Sequence, residues 1–358
     1  MTRIQRDRLR RAALSAALGV MWAGIATAHS TTVARAETLT FVSWGGAFQA
    51  AQERAYLEPY AEETGTTIRQ ASFSGEAAKI EAMVQTGNYE WDVVDVTTAD
   101  VIRLCRSGAL EPIDWSIVGD QERFLADMSH ECGIGVSTWS GIWAYDADRV
   151  AEGPQTIADF FDVEKFPGKR ALRRTPKITL EMALMADGVP PAEVYSTLET
   201  EEGLNRALAK LDTIKPHVVW WEHGEQPQQL LANGEVDYAM AYNGRVFNAI
   251  INEGKNFKIV WDGQVLDIDW LVVPAGNPRA DLAMDFIRFA SAPEPQGALP
   301  NLIPYGPTVV DAVGVNPEMI EHLPTAPQNF QNALVTGGEF WADNEANMTE
   351  KFEAWLAR

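Results

Sequence analysis

The fold of this chain is decided by residues 38–65, which read TLTFVSWGGAFQAAQERAYLEPYAEETG. Residues 38–42 alternate between polar and apolar side chains and predict a short strand, and residues 44–46 predict a turn. Residues 47–64 have the apolar spacing of an amphipathic helix, which is expected to end at Gly65. A strand, a tight turn and a helix in this order form the first unit of an α/β fold.

The same unit repeats directly downstream. Residues 67–73 predict a second strand, residues 76–85 a helix, and residues 91–96 a buried third strand. Such a βαβαβ order builds a parallel sheet with right-handed crossovers. Side chains that follow the strands then meet at one edge of the sheet, where α/β proteins bind their ligands.

The chain is long enough to form two lobes rather than one. Residues 134–145 predict another strand, and further strands and helices follow. Separate strands are predicted at 257–261 and at 268–273, the second of which returns the path to the first lobe near residue 266. We therefore expect a two-lobed α/β protein in which each lobe is a mixed, mainly parallel sheet flanked by helices. Its parts are lobe 1 at 37–138 and 266–300, lobe 2 at 139–265, and a C-terminal segment at 301–358 that packs across both lobes. Because no Gly/Ser-rich linker is found, short crossover strands are expected to join the lobes.

Residues 1–36 have the composition of a cleavable secretory signal peptide. Five arginines lie within the first eleven residues, an apolar stretch covers residues 12–28, and the small-residue motif ARA occupies residues 34–36. The apolar stretch is shorter than the roughly 20 residues of a membrane-spanning helix. We expect cleavage after residue 36 and a periplasmic location. Cleavage at the earlier motif ATA, residues 26–28, and twin-arginine export through Arg10-Arg11 remain alternatives.

The composition is strongly acidic, with a formal net charge of −21 at pH 7. Residues 1–36 contain six arginines and one aspartate, so the remaining chain carries a net charge of about −26. An acidic body is repelled by nucleic acids and by anionic membrane surfaces. Neither is therefore expected as a partner.

The sequence contains two cysteines, Cys105 and Cys132. In an oxidising compartment such a pair is expected to form a disulfide. The closed loop of about 28 residues would stabilise the fold by roughly 3 kcal/mol in the chain-entropy model.

Signatures of enzymes are missing from the sequence. We find no G-x-S-x-G elbow, no H-E-x-x-H motif, no Walker loop and no complete G-x-G-x-x-G fingerprint. The four histidines after residue 36 have no ligand spacing with one another or with a cysteine, so no metal and no cofactor are expected. An α/β enzyme is the less favoured alternative to a binding protein.

Seven short motifs occur in order over some 260 residues. They are SW (43–44), YEWDVVDVTT (89–98), SGALEPID (107–114), FPGK (166–169), NGEVDYAMAYNG (233–244), DWLVVP (269–274) and YGPT (305–308). In this combination the chain resembles the periplasmic spermidine/putrescine-binding family of ABC-importer receptors. The resemblance implies a monomeric, two-lobed type II binding protein that captures a small solute and delivers it to permease subunits in the inner membrane.

The resemblance also implies ligand-contacting positions. Trp44, Tyr242, Asp269 and Tyr305 fall where the family places such groups. A desolvated ammonium needs a carboxylate, and aromatic faces add cation–π attraction of about 1 kcal/mol each. The tryptophans of the apolar strands, at 139, 143, 220 and 221, are expected in the core instead.

Two basic positions depart from the family pattern. Arg174 lies in a loop where polyamine receptors carry acidic residues, and Arg245 directly follows the YNG motif. A guanidinium is a bidentate partner for a carboxylate and not for an ammonium. We therefore expect a short ω-amino acid with its carboxylate toward Arg174 or Arg245 and its amine toward Asp269. A dicarboxylate or hydroxy acid, a true spermidine/putrescine receptor, and arginines held in internal ion pairs remain alternatives.

We expect thiol titration of the exported protein, under denaturing and non-reducing conditions, to detect no free thiol, because Cys105 and Cys132 are paired. Reduction should release two. Detection of two thiols before reduction would contradict the disulfide.

Overall fold

A computed structural model describes residues 37–358, in which helices flank one mixed sheet. The predicted signal peptide, residues 1–36, lies outside the described residues. The strands are β1 Thr38–Ser43, β2 Thr67–Ser72, β3 Val93–Thr97, β4 Ser129–His130, β5 Gly133–Asp146, β6 Arg170–Arg173, β7 Val218–Trp221, β8 Tyr238–Tyr242, β9 Phe257–Val272 and β10 Leu334–Val335. The helices are α1 Gly46–Gln52, α2 Glu58–Thr64, α3 Ala78–Thr86, α4 Thr98–Arg106, α5 Trp115–Val118, α6 Ile157–Phe161, α7 Thr179–Ala186, α8 Val194–Leu198, α9 Glu201–Asp212, α10 Gln226–Ala232, α11 Asn243–Asn252, α12 Ala280–Ala290, α13 Pro293–Leu302, α14 Pro317–Ile320 and α15 Gly338–Leu356.

The first predicted unit is confirmed. Strand β1 lies between β2 and β3 and pairs with both in parallel. The predicted single helix at 47–64 is formed by α1 and α2, which a π-helical turn at Glu53–Leu57 joins without a break. It ends at Gly65, whose φ of 74° is the left-handed conformation that favours glycine at a helix C-terminus.

The central strands β5 and β9 are longer than the sequence predicted. Residues 257–261 and 268–273 were expected to form separate strands, but β9 runs from Phe257 to Val272 without interruption. Residues 261–264 bulge where β9 passes Ile142 of β5, and Gly263, with a φ of 72°, accommodates the bulge. The polar stretch between the predicted strands is therefore an irregularity within one strand and not a connection.

The sheet has the order β2-β1-β3-β9-β5-β8-β6-β7, with β10 on β9 and β4 on β5. Pairing is parallel within β2-β1-β3 and within β8-β6-β7, and it is antiparallel where each group joins β9 or β5. The mixed, mainly parallel pattern around helices agrees with the predicted fold class. The predicted lobe boundaries, at 138/139 and 265/266, fall inside β5 and β9, which pair with each other over nearly their whole lengths.

The disulfide joins Cys105, in α4, to Cys132, which precedes β5, with an S–S distance of 1.99 Å. His130 lies beside the two sulfurs, and these three residues form the one group with metal-ligand spacing among the described residues. Because the sulfurs are bonded to each other, this group offers no thiolate pair for a metal ion. None of the helices within 37–358 is both long and apolar enough to cross a membrane.

The C-terminal helix α15 contacts helices that belong to different parts of the sheet. The indole Nε1 of Trp341 donates to Glu181 of α7 at 2.6 Å, and Trp355 Nε1 donates to Asp212 of α9 at 2.8 Å. Arg106 of α4 donates to Asp343 at 3.0 Å. One helix thus packs against α4 on the β3 side of the sheet and against α7 and α9 on the other.

Glu181 is a completely buried carboxyl group. Its Oε1 accepts from Trp341 and from the Tyr195 hydroxyl, whereas Oε2 has no hydrogen-bond partner. Burial raises the pKa of Glu181 to about 7, although the Trp341 bond and the charge of Lys177 act in the opposite direction. Because the pKa of Glu181 is higher in the folded protein than in the unfolded chain, protonation stabilises the folded state. This stabilisation is fully present below pH 4.5 and is lost as the pH rises through about 7.

We expect Glu181→Gln to raise the free energy of unfolding at pH 8 by roughly 1–3 kcal/mol and to change it little at pH 4. The amide keeps an oxygen for Trp341 and does not ionise. Denaturant unfolding of both proteins at the two pH values measures the difference. An equal effect at both values would contradict the role of ionisation.

Candidate functional site

A cavity lies at the carboxyl ends of the parallel strands. Thr97 ends β3, Arg173 ends β6 and Tyr242 ends β8, while Trp44 directly follows β1, and all four side chains line the cavity. The central strands complete the lining with Asp269 of β9 and Trp139 of β5. This is the edge at which the βαβ connectivity predicts a ligand site.

Aromatic rings form the walls. Trp44 stacks at an angle on Phe73 with ring centroids 4.8 Å apart, and Phe48 lies 4.9 Å from Tyr305. Such walls suit a ligand with methylene groups, and their faces attract a cation.

The edge-to-face pair of Trp139 and Tyr242, 5.1 Å apart, adds a third wall. The sequence assigned Trp139 to the core together with residues 143, 220 and 221. Trp143 and Trp221 are buried as expected, and Trp220 packs on α15 against Phe352. Trp139 is also buried, but it contributes to the cavity wall. Every residue of β5 from 133 to 145 is buried, so its pattern does not distinguish one face from the other.

Two buried carboxyl groups lie together at the base of the cavity. Asp269 is paired with Thr97 across β3 and β9, and Asp95 lies two residues before Thr97, so both carboxyls are on one face of the sheet. Asp269 accepts from Ser137 Oγ at 2.7 Å. Asp95 accepts from Gln52 Nε2 at 2.6 Å and from the indole of Trp44 at 3.1 Å.

Burial raises the pKa values of both groups. For Asp95 it raises the pKa to about 7, against the effect of hydrogen bonds from Gln52, Trp44 and Ser43. For Asp269, burial and then the charge of Asp95 raise the pKa well above its usual range, while Ser137 and Arg245 act in the opposite direction. The charge of each carboxylate therefore opposes ionisation of the other, and a nearby cation would favour ionisation.

Two arginines supply positive charge to the same cavity. Arg245 is almost fully buried, donates from Nη2 to the backbone oxygen of Trp44 at 3.1 Å, and forms an ion pair with Glu225. Arg173 donates from Nη1 to the Tyr242 hydroxyl at 2.7 Å. The cavity therefore combines guanidinium groups with a buried carboxyl pair, which suits a solute carrying both charges.

Arg174, which the sequence selected, lies outside this cavity. Its side chain is 43% exposed and donates to Glu353 at 2.8 Å and to Glu222 at 3.4 Å. Successive side chains at the end of a strand point in opposite directions, so Arg173 faces the cavity and Arg174 faces away. Arg173 therefore lines the cavity, and Arg174, which was predicted to contact the ligand, does not.

The other predicted residues come together. Trp44, Tyr242, Arg245, Asp269 and Tyr305 all line the one cavity, although Tyr305 lies about 60 residues beyond Arg245 in the sequence.

Lys177, the third basic residue of the 173–177 loop, is outside this cavity and forms an ion pair with Asp267 at 3.2 Å. Both side chains are more than nine-tenths buried. The positive charge of Lys177 compensates the buried carboxylate of Asp267, which explains how an aspartate is accommodated inside the sheet.

Residues of a short loop after β7 close the cavity on one side. Glu222, His223 and Glu225 line it, and His223 Nδ1 lies 3.2 Å from the Ser74 hydroxyl on the opposite rim. Gln226 fixes the loop because its Oε1 accepts from the backbone NH groups of residues 222 and 223 at 2.7 and 2.8 Å. No residue of this loop was predicted from the sequence to contact a ligand, because its polar residues show neither helical nor strand periodicity.

Comparison with known proteins gives a consistent result. The profile of the family described as "Bacterial extracellular solute-binding protein" matches residues 55–328. A protein of Pseudomonas aeruginosa named "Gamma-aminobutyric acid-binding protein" is 43% identical over 326 residues, which cover 91% of this chain and 92% of that protein.

Solved structures show the same likeness. The binding protein AgtB of A. tumefaciens R10, in complex with agropinic acid, is 34% identical and superposes with a TM-score of 0.82, covering 90% of this chain and 99% of its own. A structure named "Atu4243-GABA receptor" is 32% identical with a TM-score of 0.80, covering 90% of this chain and 98% of its own.

Proposed function

Because this chain belongs to the bacterial extracellular solute-binding protein family, we propose that its solute is a short ω-amino acid of the 4-aminobutyrate type. The chain is a solute-binding receptor with the type II periplasmic binding-protein fold, and its family serves ABC transporters. The proposal includes the identity of the solute, the contacts with a permease, the monomeric state and export through residues 1–36.

The observation that carries the proposal is the pairing of opposite charges within one aromatic cavity. Arg173 and Arg245 suit a carboxylate, and Asp269, backed by Asp95, suits an ammonium. An ω-amino acid places these two charges at the ends of a methylene chain, which the rings of Trp44 and Tyr305 can cover. A simple amine brings no carboxylate for the two arginines, and a dicarboxylate brings no cation for the carboxyl pair.

The relatives support the same class of solute. The P. aeruginosa relative and the 32% identical structure carry names that refer to γ-aminobutyric acid, and AgtB was solved with agropinic acid. None of these names refers to a polyamine.

A spermidine/putrescine receptor is the second candidate. It is favoured by the acidic residues of the cavity, because Glu222 and Glu225 line it together with Asp269. The aromatic walls would also suit a polyamine. An ammonium placed near Arg173 and Arg245 would be repelled, which ranks this candidate second.

We also propose the lobe division predicted from sequence, with 37–138 and 266–300 as lobe 1, 139–265 as lobe 2 and 301–358 across both. Support comes from contacts that join the two predicted lobes around the cavity. Arg245 Nη2 donates to the Trp44 oxygen, and the Ser74 hydroxyl meets His223. These contacts join the two predicted lobes and would break if the lobes moved apart.

A thermal-shift panel, confirmed by calorimetry, tests the solute class. We expect 4-aminobutyrate and 5-aminovalerate to stabilise the protein, because a solute at 100 times its Kd adds about 2.7 kcal/mol. Putrescine, spermidine and malate are expected to have little effect. Stabilisation by the diamines alone would support the second candidate instead.

Paired arginine variants test the binding mode of the same solutes. Arg173→Ala and Arg245→Ala should each weaken 4-aminobutyrate binding at least tenfold, because each removes a charged partner of the carboxylate. Arg174→Ala is the matched control and should stay within about twofold, since its side chain pairs with Glu353 outside the cavity. Unchanged affinity in the Arg173 and Arg245 variants would exclude a contact between these arginines and a carboxylate of the solute.

The pH dependence of affinity tests the proposed contact between the amine of the solute and the carboxyl pair of Asp95 and Asp269. Burial raises the pKa values of Asp95 and Asp269, so the pair holds protons at low pH that an arriving ammonium displaces. We expect affinity for 4-aminobutyrate to rise from pH 5 to pH 8, by up to about tenfold per pH unit where one proton is released. Calorimetry in buffers of different ionisation enthalpy counts the released protons. A flat profile without proton release would mean that the amine does not meet this pair.

A further inference from the structure

The guanidinium of Arg245 donates three hydrogen bonds within the protein. Its Nη1 donates to the Glu225 carboxylate, and its Nη2 donates to the backbone oxygens of Trp44 and Gly45 at 3.1 and 3.4 Å. The Arg245 side chain is only 5% exposed. A solute carboxylate therefore does not find this guanidinium free.

Little space remains around the ion pair. A Cβ at Gly46 would overlap both the Glu225 carboxylate and Arg245 Nη1, and a Cβ at Gly224 would lie 3.1 Å from Arg245 Cζ and Nε. The backbone at Gly46 and Gly224 thus packs closely against the guanidinium, and Glu225 occupies the side of Nη1 next to Gly46. On that side a solute carboxylate would have to replace Glu225.

Glu225 is able to move without disturbing the loop. Its side chain is 38% exposed, and among the contacts of residues 37–358 its carboxylate has one hydrogen-bond donor, Arg245. The loop itself is held by Gln226, which accepts from the backbone NH groups of residues 222 and 223. Rotation of the Glu225 side chain into solvent therefore costs the ion pair and leaves the loop bonds in place.

We propose that Glu225, the ion-pair partner of Arg245, is an internal competitor that the carboxylate of the solute replaces. The proposal rests on the proposed function, because it requires a solute with a carboxylate. One ion pair is exchanged for another, so Arg245 gives less net affinity than a free guanidinium would give. Glu225 thereby determines specificity: a solute without a carboxylate does not displace it and gains nothing from Arg245.

The test compares Glu225→Gln with the wild type by calorimetry, using 4-aminobutyrate as the probe. We expect Glu225→Gln to bind about three- to tenfold more tightly, because the amide competes weakly for the guanidinium. Glu353→Gln is the matched control, since it removes the same charge from an ion pair with Arg174 outside the cavity, and its effect should stay within about twofold. Weaker or unchanged binding in Glu225→Gln, or equal tightening in both variants, would overturn the inference.

Thermal melting separates the proposal from a purely structural role of Glu225. Glu225→Gln should lower the melting temperature of the solute-free protein and should not lower that of the protein saturated with 4-aminobutyrate, in which the ion pair is already broken. An equal loss in both states would mean that Glu225 stays on Arg245 throughout and would overturn the inference. Glu225→Asp, which keeps the charge on a shorter side chain, should give an intermediate affinity and serves if the glutamine variant does not fold.

The two levels of the proposal fail in different ways. If the wild type binds 4-aminobutyrate and Glu225→Gln does not tighten binding, only the role of Glu225 falls. If the wild type binds diamines and no carboxylate-bearing compound, the proposed solute class and the competitor role fall together.

Discussion

The antiparallel pairing of β5 and β9 is the interaction on which the rest of the structure depends. One parallel group of strands is attached to β9 through β3, and the other is attached to β5 through β8. Because the two central strands run through both halves of the sheet, they fix the distance between the carboxyl ends of β1 and β3 on one side and of β6 and β8 on the other. The cavity lies between those ends, so its walls are positioned by two strands that are far from most of its residues in sequence.

This arrangement forces charged groups into a buried environment. Asp269 lies in β9 and Asp95 in the neighbouring strand β3, and Arg245 lies in the first turn of α11, which directly follows β8. Each group is held by neutral or opposite partners: Ser137 and Gln52 bond the carboxyls, and Glu225 pairs with the guanidinium. Buried charges are costly unless they are compensated. Hydrogen bonds from Ser137, Gln52 and Trp44 and the ion pair with Glu225 provide that compensation, and the proposed zwitterionic solute would bring both opposite charges at once.

Sequence reasoning was most successful where local patterns decide structure. The order β1, helix, β2, α3 and β3 followed from alternation and helical spacing, and five of the six selected cleft residues line the cavity. It failed in a short strand, where too few residues are present to show which side chains face the cavity. In the four-residue strand β6 nothing in the sequence distinguishes Arg173 from Arg174, because the direction of each side chain depends on pairing with β7 and β8. Trp139 was assigned to the core because β5 is buried on both faces.

Local patterns in the amino-acid sequence are sufficient for the α/β class, for the expected bond between the two cysteines, and for the occurrence of both acidic and basic residues in the motifs that follow the strands. These conclusions depend on periodicity and composition, which are properties of neighbouring residues. The tertiary structure alone decided that β9 is one strand, that Arg173 rather than Arg174 faces the cavity, and that Glu225 occupies Arg245. Those outcomes depend on strand register and on the match of charges across long sequence separations, and neither is encoded in any local pattern of the chain.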